Sequence, residues 1–332
     1  MPAQYLTTHA FASRLKPYVH EPEIAPLKRG KDLFGVHADL IQIALLPDEQ
    51  PHCLLYSPIF HADCTPFGVS AYPASHAIAV TDRRLVITED RHVERVPPAT
   101  HSISYNQVLC VELGYALLLG WLVVRFIVEN KVSTTAVLYT TTGMHHMENA
   151  VRTYRSLSEH AYDRLLDGGM GWEEVWARTP RTQVDRVKSL IIKDEHPLAL
   201  IRSSKRWALA RRRWKKILAC LGADGVLIPT NVGLIYAVDE AAMKPGMYAF
   251  GVNVTCIPLD ALKSVSLHEE WRYEKRQHFL RLELARRAAS VNFDIPLDEE
   301  GFEAASDRVV SLLEIFREGQ RNSVRISKKD AS

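Results

Sequence analysis

The sequence has few cysteines, and they are not arranged as metal-ligand or disulfide pairs. The 332 residues contain five cysteines, an odd number, and no two of them stand in a Cys-x-x-Cys arrangement. Disulfide-stapled small domains and zinc ribbons need paired or closely spaced cysteines, so neither class fits this chain. We therefore expect the protein to work in a reducing, cytoplasmic compartment.

The sequence also lacks a secretory signal and a membrane-spanning run. Its N-terminus has no basic start followed by an apolar core, which is what a signal peptide requires. Val108 to Val128 is strongly apolar, but Glu112 and Arg125 interrupt it, and the uncharged part between them is far shorter than the ~20 residues of a spanning helix. The stretch predicts two neighbouring buried strands. The alternative to a fully cytoplasmic location is a peripheral one at the inner membrane face.

Signature motifs of common enzyme classes are absent as well. The chain has no phosphate-binding glycine loop, no GxSxG, no HExxH and no Rossmann fingerprint. It therefore supports no enzyme class, and we expect no cofactor. Basic and acidic side chains nearly balance, 41 against 39, which makes nucleic acid the less favoured partner and confines any basic surface to a local patch.

What the sequence does contain is an internal repeat. Residues 38–57 read ADLIQIALLPDEQPHCLLYS and align without a gap, at an offset of 146, with residues 184–203, which read VDRVKSLIIKDEHPLALIRS. A helix, a turn and a strand are predicted in each copy, since apolar residues at helical spacing end at a proline-containing run. Thr182 with Asp185 predicts the N-cap of the second helix. The identical positions are Asp39, Asp48, Glu49, Pro51, Leu54 and Ser57 in the first copy and Asp185, Asp194, Glu195, Pro197, Leu200 and Ser203 in the second.

The similarity continues downstream. Thr81–Ile87 resembles Thr230–Tyr236, and each predicts the turn and second strand of a hairpin. Ile103–Leu113 resembles Ile257–Leu267, and each predicts a short turn followed by a strand. Further strands are predicted at 122–128, 134–140, 279–285 and 289–295. An amphipathic helix is predicted to close each copy, at 148–166 and 302–316.

These motifs resemble the pleckstrin-homology-like (PH-like) superfold. The first copy is similar to bacterial PH-like domains through HAIAVTDRRLVIT and ISYNQVLCVEL, and the second to GRAM-type domains through WKKILACLGADGVLIPTNVGLIY. The resemblance covers most of residues 38–318. It implies an α+β, mainly β fold with two PH-like domains, each a curved antiparallel sheet closed by a C-terminal helix. It also implies a binding or scaffolding role, since PH-like domains bind phosphoinositides in some families and peptides or proteins in many others.

The domain organisation follows from the repeat. We expect an N-terminal leader at 1–30, a first PH-like domain at 31–167 and a linker at 168–181. A second PH-like domain is expected at 182–320 and a flexible tail at 321–332. Trp172 and Trp176 lie four residues apart in the linker, which is compatible with a short helix between the domains.

The most distinctive local feature is a basic segment, Lys205 to Lys216, in which seven of twelve residues are basic. It follows the first strand of the second copy, where lipid-binding PH domains carry a basic loop that grips phosphates. Clustered lysine and arginine attract anionic headgroups at about 1 kcal/mol each. Alternatively, the segment forms a solvated face with its tryptophans in the core, or binds nucleic-acid phosphates while the tryptophans stack on bases. The candidate headgroup-binding residues are Lys205, Arg206, Arg211, Arg212, Arg213, Trp214, Lys215 and Lys216.

Two clusters invite a chemical interpretation. His52, His61, Asp63 and Cys64 include every common zinc-ligand type, although their spacing fits no known metal motif and ordinary loop and core roles are the competing interpretation. The Asp-Glu pairs at 48–49 and 194–195 suggest acid–base chemistry. Their identical placement before a proline-containing strand instead favours a role in the turn.

Three functional hypotheses follow. The leading one is a non-enzymatic scaffold that acts through protein–protein contacts or self-association of its tandem PH-like domains. The second is a peripheral membrane adaptor that binds anionic lipid or phosphoinositide headgroups through the basic segment. The third is a metal-dependent enzyme at the His52 cluster.

Overall fold

The computed structural model describes residues 15–17, 25–62, 74–91, 95–116, 119–158, 170–203, 206–212, 215–239, 251–272, 275–298, 301–302 and 305. Antiparallel strands predominate, with a few helices packed against them, so the mainly β, α+β class is confirmed. Within these ranges, none of the helices has the length and apolar character needed to cross a bilayer.

In the described part of the first half, two short strands come first and lie inside the predicted leader. The second of them pairs with the strand that follows the first helix. A helix, a series of strands and a second helix follow. These elements are β1 (Leu15–Pro17), β2 (Ala25–Pro26), α1 (His37–Ala44), β3 (Pro51–Ser57), β4 (Phe60–Ala62), β5 (Ser75–Thr81), β6 (Arg84–Asp90), β7 (Ala99–Ser104), β8 (Val108–Ala116), β9 (Leu119–Val128), β10 (Lys131–Thr140) and α2 (Met144–Ser158).

The second half repeats much of this order after a short connecting helix. Its elements are α3 (Trp172–Arg178), α4 (Arg181–Leu190), β11 (Ile201–Ser203), β12 (Arg206–Arg212), β13 (Lys215–Gly222), β14 (Gly225–Pro229), β15 (Gly233–Asp239), β16 (Gly251–Pro258), β17 (Leu262–Arg272), β18 (Lys275–Arg286) and β19 (Ala289–Leu297). Residues 301, 302 and 305 are helical.

The two halves share one succession of elements. In each, a helix precedes a series of strands, four of which are neighbours in one sheet (β3, β5, β6 and β7, or β11, β14, β15 and β16). A 3-10 turn (Tyr105–Gln107 or Leu259–Ala261) then leads into three more strands, and a helical segment follows. The predicted strand pair within Val108–Val128 is confirmed as β8 and β9, and the predicted hairpins are confirmed as β5–β6 and β14–β15. We call the two halves repeat 1 and repeat 2.

One sheet contains strands from both repeats. The order β10-β9-β8-β16-β15-β14-β11 places β8 of repeat 1 directly beside β16 of repeat 2, antiparallel, from Gly251 opposite Ala116 to Cys256 opposite Val111. Three further strands of repeat 1, together with β2 and β3, form a five-stranded sheet, and β17-β18-β19 form a three-stranded sheet. The seven-stranded sheet therefore contains strands from both sides of the predicted linker.

Each face of this shared sheet belongs to a different hydrophobic core. The first core combines the inner strands of repeat 1 and helix α2 with Val226, Ile228 and Val254 of repeat 2. The second core combines the β17-β18-β19 sheet with Leu109 and Ile127 of repeat 1. Because apolar area removed from water stabilises by roughly 25 cal/mol per Å², separating the repeats would expose apolar surface of both cores and remove part of their stabilisation.

Two glycines allow the strands to meet closely at the junction. The Trp121 ring covers Gly114, and a Cβ at position 114 would lie 2.3 Å from that ring. The indole Nε1 then donates to Asn253 Oδ1 on β16 at 3.2 Å. A Cβ on Gly251 would lie 2.2 Å from the Tyr115 carbonyl oxygen, so only glycine fits at the start of the β8–β16 ladder.

Helix α4 begins differently from the sequence prediction. Thr182 lies inside the helix, which has Pro180 before its first turn and no side-chain cap bond. The Thr182 hydroxyl instead donates to Asp239 Oδ1 at 3.0 Å. The predicted Thr182 N-cap is therefore wrong, because tertiary contact with the end of β15 takes the hydroxyl that a cap would use.

The segment between the repeats forms the short helix α3, which packs on the first core. The rings of Trp172 and Trp176 stack at 4.7 Å between centroids, and Val175 is fully buried. Trp172 Nε1 donates to the Glu195 carbonyl oxygen at 2.9 Å, and the Lys188 ammonium lies over Trp176. These contacts fix the linker against repeat 2.

Candidate binding site

The predicted basic segment lies in a hairpin that interrupts the succession of strands in repeat 2. Strands β11 and β14 are neighbours in the shared sheet, from Ile201 opposite Leu227 to Ser203 opposite Gly225. The chain between them forms β12 and β13, which among the described strands pair with each other as a separate two-stranded sheet. The segment therefore lies in a hairpin of its own and not in the shared sheet.

The hairpin concentrates positive charge at its far end. Its last two backbone pairs are Arg211 opposite Lys216 and Arg212 opposite Lys215. The chain from residue 196 to residue 223 contains no Asp or Glu. The other residue pairs of the β12–β13 hairpin are mostly apolar, including Leu209 opposite Leu218. Sequence thus provides a basic end that no acidic residue of the same segment neutralises.

Five of the eight candidate residues lie in described strands, and three do not. Arg206, Arg211 and Arg212 lie on β12, and Lys215 and Lys216 lie on β13, so the register brings the last four of these together. Lys205, Arg213 and Trp214 lie outside the described residues.

The predicted metal cluster divides in the same way. His52 is exposed on β3, next to the buried Cys53, whose pKa burial raises to about 11. His61 lies on β4, opposite Lys16 of β1. Asp63 and Cys64 are outside the described ranges. Among the side chains that the structure describes, no three His, Cys, Asp or Glu groups come together as metal ligands do.

The repeated glutamates are the centres of two matching hydrogen-bond networks. Glu49 accepts from the Leu46 backbone N–H at 3.0 Å and from the Thr81 hydroxyl at 2.7 Å. Glu195 accepts from the Ile192 N–H at 3.0 Å and from the Thr230 hydroxyl at 2.8 Å. Both glutamates are buried. Their predicted role in the turn is therefore confirmed.

The neighbouring Asx residues complete the match. Asp82 Oδ1 accepts from the Gln50 N–H at 3.3 Å, and Asn231 Oδ1 accepts from the His196 N–H at 2.7 Å. In return, the Asp82 and Asn231 backbone N–H groups donate to the carbonyls of Gln50 and His196. The sequence similarity of the two repeats thus extends to equivalent bonds.

The cation that neutralises each glutamate comes from a different place. In repeat 1, Arg84 of β6 contacts Glu49 at 2.5 Å and donates to the Ala44 carbonyl. In repeat 2, Arg155 of α2 contacts Glu195 at 2.7 Å and donates to the Leu190 carbonyl. Gly233 stands at the repeat 2 position of Arg84. Repeat 1 therefore completes its own network, whereas repeat 2 depends on an arginine of repeat 1.

These electrostatics explain the charge state of Glu49. Burial alone would raise its pKa, but hydrogen bonds from Arg84, the Leu46 N–H and Thr81 outweigh burial and lower the pKa to about 2. The sequence did not single out Arg84 or Arg155. The only signal for the network was the recurrence of Thr and Glu at equivalent positions.

A buried histidine of repeat 1 lacks a partner among the described residues. His76 on β5 is 3% exposed, lies opposite Glu89, and has no hydrogen bond to either ring nitrogen. Burial lowers its pKa to about 4. His37 differs, because its two ring nitrogens contact the hydroxyls of Thr88 at 2.7 Å and Ser75 at 3.0 Å.

Comparison with known proteins gives no assignment. No protein family model matches the chain, and a search of curated proteins finds no significant match. The function must therefore be argued from the residues themselves.

Proposed function

We propose that the chain is a non-enzymatic binding protein, in which two PH-like repeats form one platform and the basic hairpin β12–β13 engages an acidic protein partner. The observation that carries the proposal is a difference in charge between corresponding segments of the two repeats. Between β11 and β14, repeat 2 has a hairpin that ends in two basic pairs, in a stretch without Asp or Glu, whereas residues 58–74 between β3 and β5 of repeat 1 contain no Lys or Arg.

The polar clusters of the chain support binding rather than catalysis. The repeated carboxylates bond to turn backbone, to threonines and to arginines in the same way in both repeats. A duplicated structural bond needs no catalytic explanation. A fold alone does not determine function. The PH-like interpretation therefore supports a binding role only when it is combined with the basic hairpin.

Charge reversal of the hairpin end tests the proposal. We expect the fourfold variant Arg211→Glu, Arg212→Glu, Lys215→Glu and Lys216→Glu to lose the host proteins that the wild-type chain captures, because each basic residue contributes a favourable contact to an acidic surface. The matched control reverses four exposed basic residues elsewhere, Lys28, Lys131, Arg181 and Lys193. It should retain the captured proteins. Equal capture by all three proteins, or none by any, would contradict the proposal.

An anionic membrane surface is the second candidate, favoured by the same basic pairs. The three proteins can be sedimented with vesicles of phosphatidylserine and phosphatidylcholine, and with phosphatidylcholine alone. Binding of wild type and control to the anionic vesicles only, weakened by salt and lost in the hairpin variant, would favour the membrane. If none of the three proteins binds either vesicle, that result counts against the membrane candidate.

A further inference from the structure

Each of the two strands that meet at the junction has a counterpart in the other repeat. Among the described residues, each counterpart is an edge strand with one side unpaired. At the junction, β8 provides one edge and β16 the other. The counterpart of β8 in repeat 2 is β17, which follows the same 3-10 turn, and the counterpart of β16 in repeat 1 is β7. Among the described strands, β17 pairs only with β18, and β7 pairs only with β6.

We propose that copies of this chain assemble head to tail, with β17 of one copy pairing with β7 of the next. This intermolecular pairing would have the same antiparallel arrangement as the pairing of β8 with β16 inside one molecule. The proposal goes beyond partner binding by the hairpin, because it uses different strands and a different partner, a second copy of the same chain.

The register of the new pairing follows from the old one. Equivalent residues of the repeats are 154 apart here, as Val108 and Leu262 show at the start of β8 and β17. The junction pair Leu113–Val254 therefore corresponds to Leu267 of one copy opposite Thr100 of the next. Leu267 is half-buried and Thr100 is exposed, and each lies on a strand that has one neighbouring strand among those described.

Helix α1 carries an exposed apolar surface where its counterpart is covered. Ile43 is 81% exposed, the highest value among the exposed large apolar residues of the described ranges. Its counterpart 146 residues later is Ser189, one helical turn after Arg186. Arg186 meets Glu148 of α2 at 2.6 Å. The face of α1 that holds Ile43 thus corresponds to the face of α4 that packs towards repeat 1.

The β17 edge carries an exposed apolar residue as well. Trp271 is 70% exposed, second only to Ile43 among these residues. Phe34, Val36 and Leu46 extend the exposed apolar surface around α1. Apolar residues clustered on a soluble protein mark interaction sites. Here the exposed apolar residues around α1, a helix that contacts β7, and the single Trp271 on β17 lie at the two surfaces that the repeat predicts to meet.

Such an interface joins two different surfaces, so it need not close at a dimer. Heterologous contacts give rings when the rotation closes and open filaments when it does not. We expect the mass of the wild-type chain in light scattering to rise with concentration beyond that of a dimer. A mass that stays monomeric to millimolar concentration would overturn the proposal.

Complementation of two variants gives the sharpest test. Ile43→Lys blocks one surface and Trp271→Lys the other, and both side chains are exposed, so the fold should be retained in each. Each variant alone should be monomeric. Mixed in equal amounts they should form a heterodimer and nothing larger, because one good surface remains on each. Val132→Lys, a 39% exposed position on β10, is the control and should assemble like wild type. A mixture that stays monomeric while wild type assembles would overturn the proposed geometry.

A cross-link tests the register without blocking either surface. Cysteines at Leu267 and Thr100 of the same chain should link neighbouring copies into a ladder on oxidation, because residues directly opposite in antiparallel strands lie within disulfide reach. Cysteines at Leu267 and Ser102 are out of register by two residues and should give no ladder. The wild type, which has cysteines of its own, is oxidised in parallel. Equal ladders from both variants, or none from either, would overturn the register.

Discussion

At the scale of single residues, each repeat contains a buried glutamate that is paired with an arginine, and the two arginines come from different places in the chain. Arg155 and Glu195 are both fully buried, and they join the closing helix of repeat 1 to the first turn of repeat 2. Glu49 has the same surroundings but takes its arginine from its own repeat. The same fold position is thus satisfied locally in one repeat and across the junction in the other.

Removing the cation from the junction should cost more than removing an exposed one. We expect Arg155→Met to lower the free energy of unfolding by about 3–5 kcal/mol, because Glu195 would keep a buried charge without its partner. Urea denaturation measures the loss. Arg178→Met breaks only the exposed pair with Glu174 and should cost less than about 0.5 kcal/mol.

The double variant separates charge from packing. If an unpaired charge causes the loss, adding Glu195→Gln to Arg155→Met should recover more than half of it. The glutamine is neutral, its one side-chain oxygen can still accept from the Ile192 N–H, and the Thr230 hydroxyl keeps the Gly233 carbonyl as an acceptor. A double variant less stable than Arg155→Met alone would contradict this explanation.

His76 should make stability depend on pH. Its folded pKa of about 4 lies below the ordinary value of 6.5, so the unfolded chain binds the proton more tightly, and stability falls as pH decreases from 6.5 to 4. Between pH 7.5 and pH 5 this amounts to about 2 kcal/mol. We expect His76→Phe to reduce the decrease, as measured by urea midpoints at both pH values. Replacing the exposed His52 by Gln should leave the decrease unchanged, and an equal change in both variants would contradict the assignment.

At the scale of elements, close strand approach at the junction depends on glycine. We expect Gly251→Ala to cost about 1–3 kcal/mol, because its Cβ would overlap the Tyr115 carbonyl oxygen and force β8 and β16 apart. Gly171→Ala is the matched control, since no atom lies within 4 Å of the added Cβ. Its urea midpoint should remain within error of wild type, and an equal loss in both variants would show that close approach is not the cause.

Local elements could be predicted from the sequence because each leaves a local pattern. The alternating and apolar runs gave β8, β9 and the hairpins, and the recurrence of Asp-Glu gave the turn before β3 and that before β11. The N-cap at Thr182 was wrong, because the residue that takes its hydroxyl, Asp239, is 57 positions away. Propensity carries no information about such a partner.

The pairing between repeats could not be predicted for a related reason. Nothing in β8 or β16 alone specifies that they meet, since the match lies between strands more than a hundred residues apart. The junction glycines and the Trp121–Asn253 bond acquire meaning only once that pairing is known. For the candidate site, the basic residues and their place after a first strand could be predicted from the sequence, whereas the register of the hairpin could not.

At the scale of the whole molecule, we expect the two repeats to fold as one unit. The shared sheet gives one face to each core, so apolar residues of both repeats contribute to both cores. We therefore expect the full chain to unfold in a single cooperative transition, with calorimetric and van 't Hoff enthalpies in agreement.

Producing the repeats separately shows whether they fold as one unit. Residues 31–167 and 182–320 can be produced alone and together, and their urea unfolding compared with that of the full chain. We expect that neither fragment alone unfolds cooperatively, and that the two co-purify and regain a cooperative transition when produced together. Two fragments that each unfold cooperatively at the midpoint of the full chain would contradict it.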